Sequence, residues 1–546
     1  MTALPMMALV KRELISTLRQ TRSFVFLVLF AAGMSTFVMS LWPREGMPFA
    51  AVATSSAFLL QAVFWTARVA CFVLIPPLAA ASITNEKETR SLDMLRMTLI
   101  SPSGIVIAKL INAAGFMVLL VVAALPVVGV VLFLVGVDWV EVLEGFLALI
   151  AQACECAAMG IMCATLFRTT YRAVIYSYLG LFLAWFFVAT LGVSMFWLIF
   201  SLGSTGPAGP GSALFLAATG IYRWAFPWAL TAFCLFVAAS RLRRGSLEDK
   251  HETRKPVDKP SELAARRLRF PFYLIDPLKR KKAIEDGRNP LYVRELRWGQ
   301  ICSAKTLVRF GYSSVLLFIL MAIFHGIAYS YTQPPHSIGR ILHFHMIFVA
   351  LVGPAVLAGA FTRELENDTL DTLRMTTLTP DELVTGKLYA GMAALAPVLG
   401  ASLLTSLAMV AVVGLTWESL TDFVTGYVSL GVCVLLAVAV GLLASVLTKR
   451  TTVATVLGYG LALLFFVGGS AIAAWLDAAL GVSDVSSGIG ERFSPLFAYG
   501  AHLYDRTGNS VLTRDWAANV LVFGTLGYGM IEVARRQFAA RLRREE

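Results

Sequence analysis

Twelve apolar runs of about twenty residues or more divide this chain of 546 residues. A bilayer core of about 30 Å asks for roughly 20 residues of helix, so each run is long enough to cross once. Six fall in the first half, at 23–42, 49–80, 110–137, 146–167, 173–200 and 213–239. Six more fall in the second, at 310–331, 341–361, 388–417, 423–447, 453–476 and 517–534. The expected fold is an all-α polytopic membrane protein of about twelve transmembrane helices. A hydrophobic content of 58% against 15% charged residues excludes a soluble multidomain protein, whose charged share is nearer a quarter. The run at 49–80 exceeds one span, and Pro76-Pro77 near its end is expected to interrupt or kink it.

Orientation follows from the basic residues. Lys11, Arg12, Arg19, Arg22, Arg168, Arg172, Lys449, Arg450 and the stretch Arg535 to Arg544 all fall on one side if every run crosses once. By the positive-inside rule that side is the cytoplasm, and both termini lie there. The net charge of +12 is thus spread over short inter-span segments, a distribution that argues against nucleic-acid binding. The first run ends without a small-residue cleavage site, so it reads as a span and not a removable signal. Seven cysteines lie mostly inside apolar runs, as free thiols used like small hydrophobes.

The chain repeats itself. Residues 86–110 return as 364–388, an offset of 278, with 12 identities in 25 positions and no gap. They are Glu86/Glu364, Glu88/Glu366, Leu92/Leu370, Asp93/Asp371, Leu95-Arg96-Met97-Thr98/Leu373-Arg374-Met375-Thr376, Pro102/Pro380, Val106/Val384 and Lys109-Leu110/Lys387-Leu388. Weaker matches extend further: Arg12-Glu13-Leu14 with Arg294-Glu295-Leu296, Trp139 with Trp417, and Leu166 to Tyr178 with Leu447 to Tyr459. Residues 1–245 therefore form a first six-helix repeat and 286–546 a second. With an even number of spans each, the two enter the membrane the same way up, as parallel repeats. Residues 246–285 are a charged cytoplasmic linker, either a solvated tether or a segment lying on the inner leaflet through Phe270 to Ile275 and its flanking bases. The outer loop 477–516 is much longer than its counterpart 201–212.

Within the repeated segment, Leu92, Leu95 and Leu99, like Leu370 and Leu373, recur at helical spacing among charged neighbours, which predicts a short amphipathic helix in each copy. Ser101-Pro102 and Thr379-Pro380 then supply an N-cap hydroxyl followed by proline at the first helical position. Glu382 completes a capping box in the second copy, where the first has Gly104.

Six spans, a basic segment before the first of them, and a Glu-rich helix between spans two and three that runs into Ser/Thr-Pro and Lys-Leu resemble the permease subunits of the ABC type-2 exporter family, here two units fused in one chain. The resemblance implies ATPase-coupling helices at Glu86 to Thr98 and Glu364 to Thr376, with Glu86, Glu88, Leu92, Asp93, Leu95 and Arg96 and their counterparts Glu364, Glu366, Leu370, Asp371, Leu373 and Arg374 as docking residues. It implies connecting helices at Lys11 to Arg22 and Arg294 to Arg309. It also implies two cytoplasmic ABC ATPase subunits as partners, lipid around the spans, a transported substrate that the sequence does not identify, export by alternating access, and a place in the cytoplasmic (inner) membrane of a prokaryote. The chain has no G-x-x-x-x-G-K-[ST] phosphate loop, so it is expected not to be an enzyme and to hold no cofactor, with ATP and magnesium on the partner. Two other readings stand beside this one: an ion-driven secondary transporter of two parallel repeats, and a non-transporting membrane scaffold with the permease fold.

Two charges fall deep inside apolar runs, Arg68 and Glu155, and are expected to face the bundle interior as a polar pair. Met346 and Cys433 stand at the equivalent positions of the second repeat. The six histidines show no metal-ligand spacing and are expected on aqueous or packed faces, and no metal site or nucleophile-base constellation is recognisable.

Overall fold

The computed structural model of the chain describes residues 49–88, 100–135, 139–167, 169–201, 210–243, 287–297, 304–332, 336–414, 416–469, 493–504 and 514–544, with isolated positions at 7, 10–12, 15, 35, 92, 94, 97 and 261. The first apolar run, most of Lys11 to Arg22, almost all of the linker, much of the outer loop 477–516, and Asp93, Leu95 and Arg96 lie outside the described residues.

Among the described residues, the apolar runs fall on helices. In the first repeat these are α1 (Phe49–Glu88), α2 (Pro102–Val135), α3 (Trp139–Leu166), α4 (Thr170–Ser201) and α5 (Pro210–Arg243). The second begins with a short helix α6 (Pro290–Arg297) and continues with α7 (Ala304–Thr332) and α8 (Ser337–Ala358). Two one-turn helices follow, α9 (Thr362–Glu366) and α10 (Leu370–Arg374), then α11 (Pro380–Val413), α12 (Trp417–Leu447) and α13 (Thr451–Leu463), the last ending in a π-helical turn, Leu464–Gly468. Helices α14 (Pro495–Tyr504) and α15 (Arg514–Arg544) close the chain. No strand occurs among the described residues, and eight helices there are long and apolar enough to cross a membrane. The chain is a polytopic all-α membrane protein; the count of twelve spans stays a sequence expectation.

Two compact units divide these helices, residues 1–240 with 459–501, and residues 241–458 with 502–546. Inside the first, α3 packs along α1, and a Cβ added at Gly160 would stand 2.7 Å from the Pro76 carbonyl oxygen. The second unit repeats the crossing with α12 against α8, where a Cβ on Gly441 would stand 2.5 Å from the Pro354 carbonyl oxygen. Backbones that approach this closely leave no room for a side chain, the use of small residues typical of packed membrane helices. Pro76 and Pro77 do not interrupt α1, which runs through both; in a bundle, neighbouring helices and local adjustment compensate the missing amide.

The caps match the sequence. Thr379 Oγ1 accepts from Glu382 N at 3.3 Å while Glu382 Oε2 accepts from Thr379 N at 2.8 Å, a reciprocal capping box. In the first copy Ser101 Oγ accepts from Gly104 N at 3.1 Å. One expectation needs correcting: Glu364 to Thr376 is not a single amphipathic helix. Asp368 has φ +53°, Thr369 N bonds to Glu364 O at 2.9 Å and Asp368 N to Leu365 O at 3.3 Å, a Schellman stop that ends α9 before α10 begins.

Candidate functional site

The repeated segment of the second unit is held by ions at its base. Lys387, on the first turns of α11, puts Nζ 2.6 Å from Glu295 Oε1 of α6 and 2.7 Å from Glu364 Oε1 of α9, with side-chain exposures of only 4%, 7% and 10%. Arg294 Nη1 stands 3.9 Å from the same Glu364 oxygen and supplies a second positive charge from the exposed face of α6. Two carboxylates and two cations thus balance, which a poorly solvated site requires. Asn289 locks α6 into this arrangement. Its Oδ1 accepts from Leu291 N and Tyr292 N as an N-cap, while its Nδ2 donates to Glu382 O at 2.6 Å. The helix expected at Arg294 to Arg309 starts one turn earlier, at Pro290 of α6, and Arg309 already lies on the next helix, α7.

The first repeat uses the same chemistry. Lys109 Nζ stands 2.6 Å from Glu86 Oε1, the counterparts of Lys387 and Glu364. A hydroxyl pair recurs as well: Thr84 and Thr170 lie 2.8 Å apart, and Thr362 Oγ1 donates to Thr451 Oγ1 at 3.2 Å. Thr451 in turn donates to Glu366 Oε2 at 2.6 Å, and its amide bonds Glu366 Oε1 at 2.9 Å, placing a carboxylate on the N-terminus of α13. In the second repeat Ser445 of α12 also accepts from Phe361 N at 2.8 Å.

Glu86, Glu364 and Glu366 are consequently turned inward, where they fasten the segment from within. Leu92, Leu370 and Leu373 are buried, and Arg374 Nη2 donates to Leu542 O of α15 at 2.8 Å. What the segment leaves outside in the second copy is Asn367, Asp368, Thr369, Asp371, Thr372, Met375 and Thr376, and the methionine is the one large apolar side chain among them. Met97 and its counterpart Met375 are each 89% exposed, and Met94 is exposed beside the first. A flexible, polarizable thioether held out from a rigid base suits insertion into an apolar groove of another molecule. The sequence marks Met97 and Met375 only as members of the repeat; their solvent exposure is what the structure adds. Glu88, Asp93, Leu95 and Arg96 have no described side chains.

Deep in the first unit, Glu155 accepts a hydrogen bond from Trp185 Nε1 at 2.9 Å, a partner that the sequence pairing of Glu155 with Arg68 does not include. The backbone carbonyl of Arg68 accepts from Gln152 Nε2 at 3.3 Å. In the second unit, His345 is fully buried against Phe318, ring centroids 3.9 Å apart, on a packed face and not an aqueous one. Its Nδ1 lies 2.7 Å from Ser402 Oγ, which continues through Tyr427 Oη at 3.3 Å to Ser406 Oγ at 2.7 Å. Among the described residues no group of His, Cys, Asp and Glu could hold a metal ion, and the six described cysteines are free.

No curated protein matches the chain. Residues 327–485 match the family described as ABC-2 family transporter protein, a stretch that takes in α8 to α13 and with them the anchored segment of the second repeat. Over that stretch, set among many apolar helices, the chain is similar to the ABC-2 family transporters, which supports a permease subunit of an ABC transporter.

Proposed function

We propose that this chain is the transmembrane permease of an ATP-driven exporter, and that cytoplasmic ABC ATPase subunits dock on the repeated segments, one on each. The observation that carries this reading is the matched exposure of Met97 and Met375, the same residue of two copies, each on a segment whose glutamate is turned inward to hold it. A docking element must transmit force, and a base fastened to α2 or α11 by a poorly solvated ion pair moves as one body with that spanning helix. ATP and magnesium are bound by the partner. The chain supplies the pathway, alternating between inward-open and outward-open arrangements in a prokaryotic inner membrane with both termini in the cytoplasm.

The test is reconstitution in vesicles with the ATPase subunits that co-purify. Met97→Glu with Met375→Glu is expected to abolish ATPase association and export while leaving the folded permease in the membrane. Unchanged association and export would remove the docking assignment.

One observation favours the ion-driven alternative, the chain from His345 through Ser402 and Tyr427 to Ser406 in the interior of the second unit, since ionisable groups at that depth mark ion paths in many transporters. That reading requires transport by the chain alone under a proton gradient and its loss in His345→Ala.

A further inference from the structure

The end of the fourth span of each repeat, α3 in the first and α12 in the second, is capped by a cation, but the cation comes from different places. In the first repeat Lys87, one residue after Glu86, donates from Nζ to the carbonyls of Ala164 at 2.6 Å, Thr165 at 2.8 Å and Phe167 at 3.3 Å, where α3 ends. The last carbonyls of a helix have no intrahelical partner and carry the negative end of its dipole, so an ammonium there satisfies both needs. The second repeat has Leu365 in place of Lys87. Its α12 ends the same way, with Val446 and Thr448 at the positions of Thr165 and Phe167 by the offset of 281 that aligns Leu166 with Leu447. Those carbonyls accept from Arg541 Nη1, at 3.2 Å and 3.3 Å. Arg541 lies in the last turn of α15, on a different helix from Leu365 and far beyond it in the chain.

The same end of α15 touches the repeated segment on both sides. Phe538 packs its ring 4.3 Å from that of Phe361, just before α9, and Leu542 O takes the Arg374 guanidinium at the end of α10. Both phenylalanines are fully buried.

We infer that Arg541 is a positioning residue that replaces Lys87 in the second repeat, so that the last turns of α15 hold the second docking segment while the first holds itself. The inference rests on the docking reading above for its functional consequence, but not for its geometry. It makes the two docking segments unequal: the second responds to whatever displaces the C-terminal turn, and the first does not.

The experiment uses the full chain with a nitroxide label at Met97→Cys or Met375→Cys, both positions being exposed, and the chain without the introduced cysteine as the blank. Arg541→Ala is expected to raise label mobility at 375 and leave 97 unchanged, and Leu365→Lys in the same chain is expected to reverse it by restoring an ammonium from the segment itself. Lys87→Leu should do the converse, freeing 97 alone. With the ATPase present, Arg541→Ala should weaken its apparent affinity roughly fivefold, the size of one cation's contribution at a helix end, with turnover at saturation retained. Should Arg541→Ala not fold, Arg541→Gln serves in its place. Equal mobility changes at both labels, no change at 375, or no reversal by Leu365→Lys would overturn the inference. Failure of the ATPase to bind the unmutated chain, with the label results intact, would instead overturn the docking reading alone.

Discussion

At the scale of single residues, the informative pairs are Glu86 with Lys109 and Glu364 with Lys387. Removing the lysine from the second leaves two carboxylates in a site with little water, so Lys387→Met should lower stability by about 3 kcal/mol or more. Adding Glu295→Gln should recover part of the loss, because one uncompensated charge goes with it. Thermal unfolding of the detergent-purified chain measures both, and full additivity would show that the three groups are independent. These pairs are legible in principle, since both members recur with the same separation of 23 residues. What hides them is that helical spacing puts the glutamates on a polar face, and a polar face is not the same as a solvent face once α6 and α11 close over it. Glu155 is a similar case. Its partner Trp185 is an indole, which carries no charge to attract notice. A double-mutant cycle of Glu155→Gln with Trp185→Phe is expected to show coupling of about 1 kcal/mol, and the same cycle with Arg68→Met tests the pairing expected from sequence.

Among elements, helix starts are legible in the sequence and one helix stop is not. Ser101-Pro102 and Thr379-Pro380 begin α2 and α11 where the capping chemistry requires. Between α9 and α10 the leucine spacing continues across the break, which hides it, although Asn367-Asp368 is a pair that tolerates left-handed backbone. Asp368→Gly should therefore be neutral or stabilising, while Asp368→Val should cost about 1–2 kcal/mol through its side chain at positive φ. Equal effects of the two in thermal unfolding would count against the Schellman stop. The crossings at Gly160 and Gly441 are illegible for a different reason. Each glycine sits among other small residues in an apolar run, and only the carbonyl of a proline on another helix, Pro76 or Pro354, makes the missing side chain a requirement.

For the whole molecule, duplication supplies two copies of the repeated segment, and their surroundings make them differ. The purified chain alone is expected to hydrolyse no ATP, because it lacks a phosphate-binding loop, and hydrolysis at transporter-like rates by the chain alone would contradict this. Where the partner docks is a separate question, and reversal of Arg374 does not test it cleanly, because the guanidinium also holds Leu542 O of α15. Met97 and Met375 are the better probes, since their side chains stand in solvent. Changed singly to glutamate, each should weaken ATPase association in a pull-down, and the loss should be unequal if the partner meets a self-held segment on one side and one held by α15 on the other. Equal losses would mean that the partner reads the two methionines alone and not what lies beneath them. Export that persists with both replaced would move the coupling to some other part of the molecule.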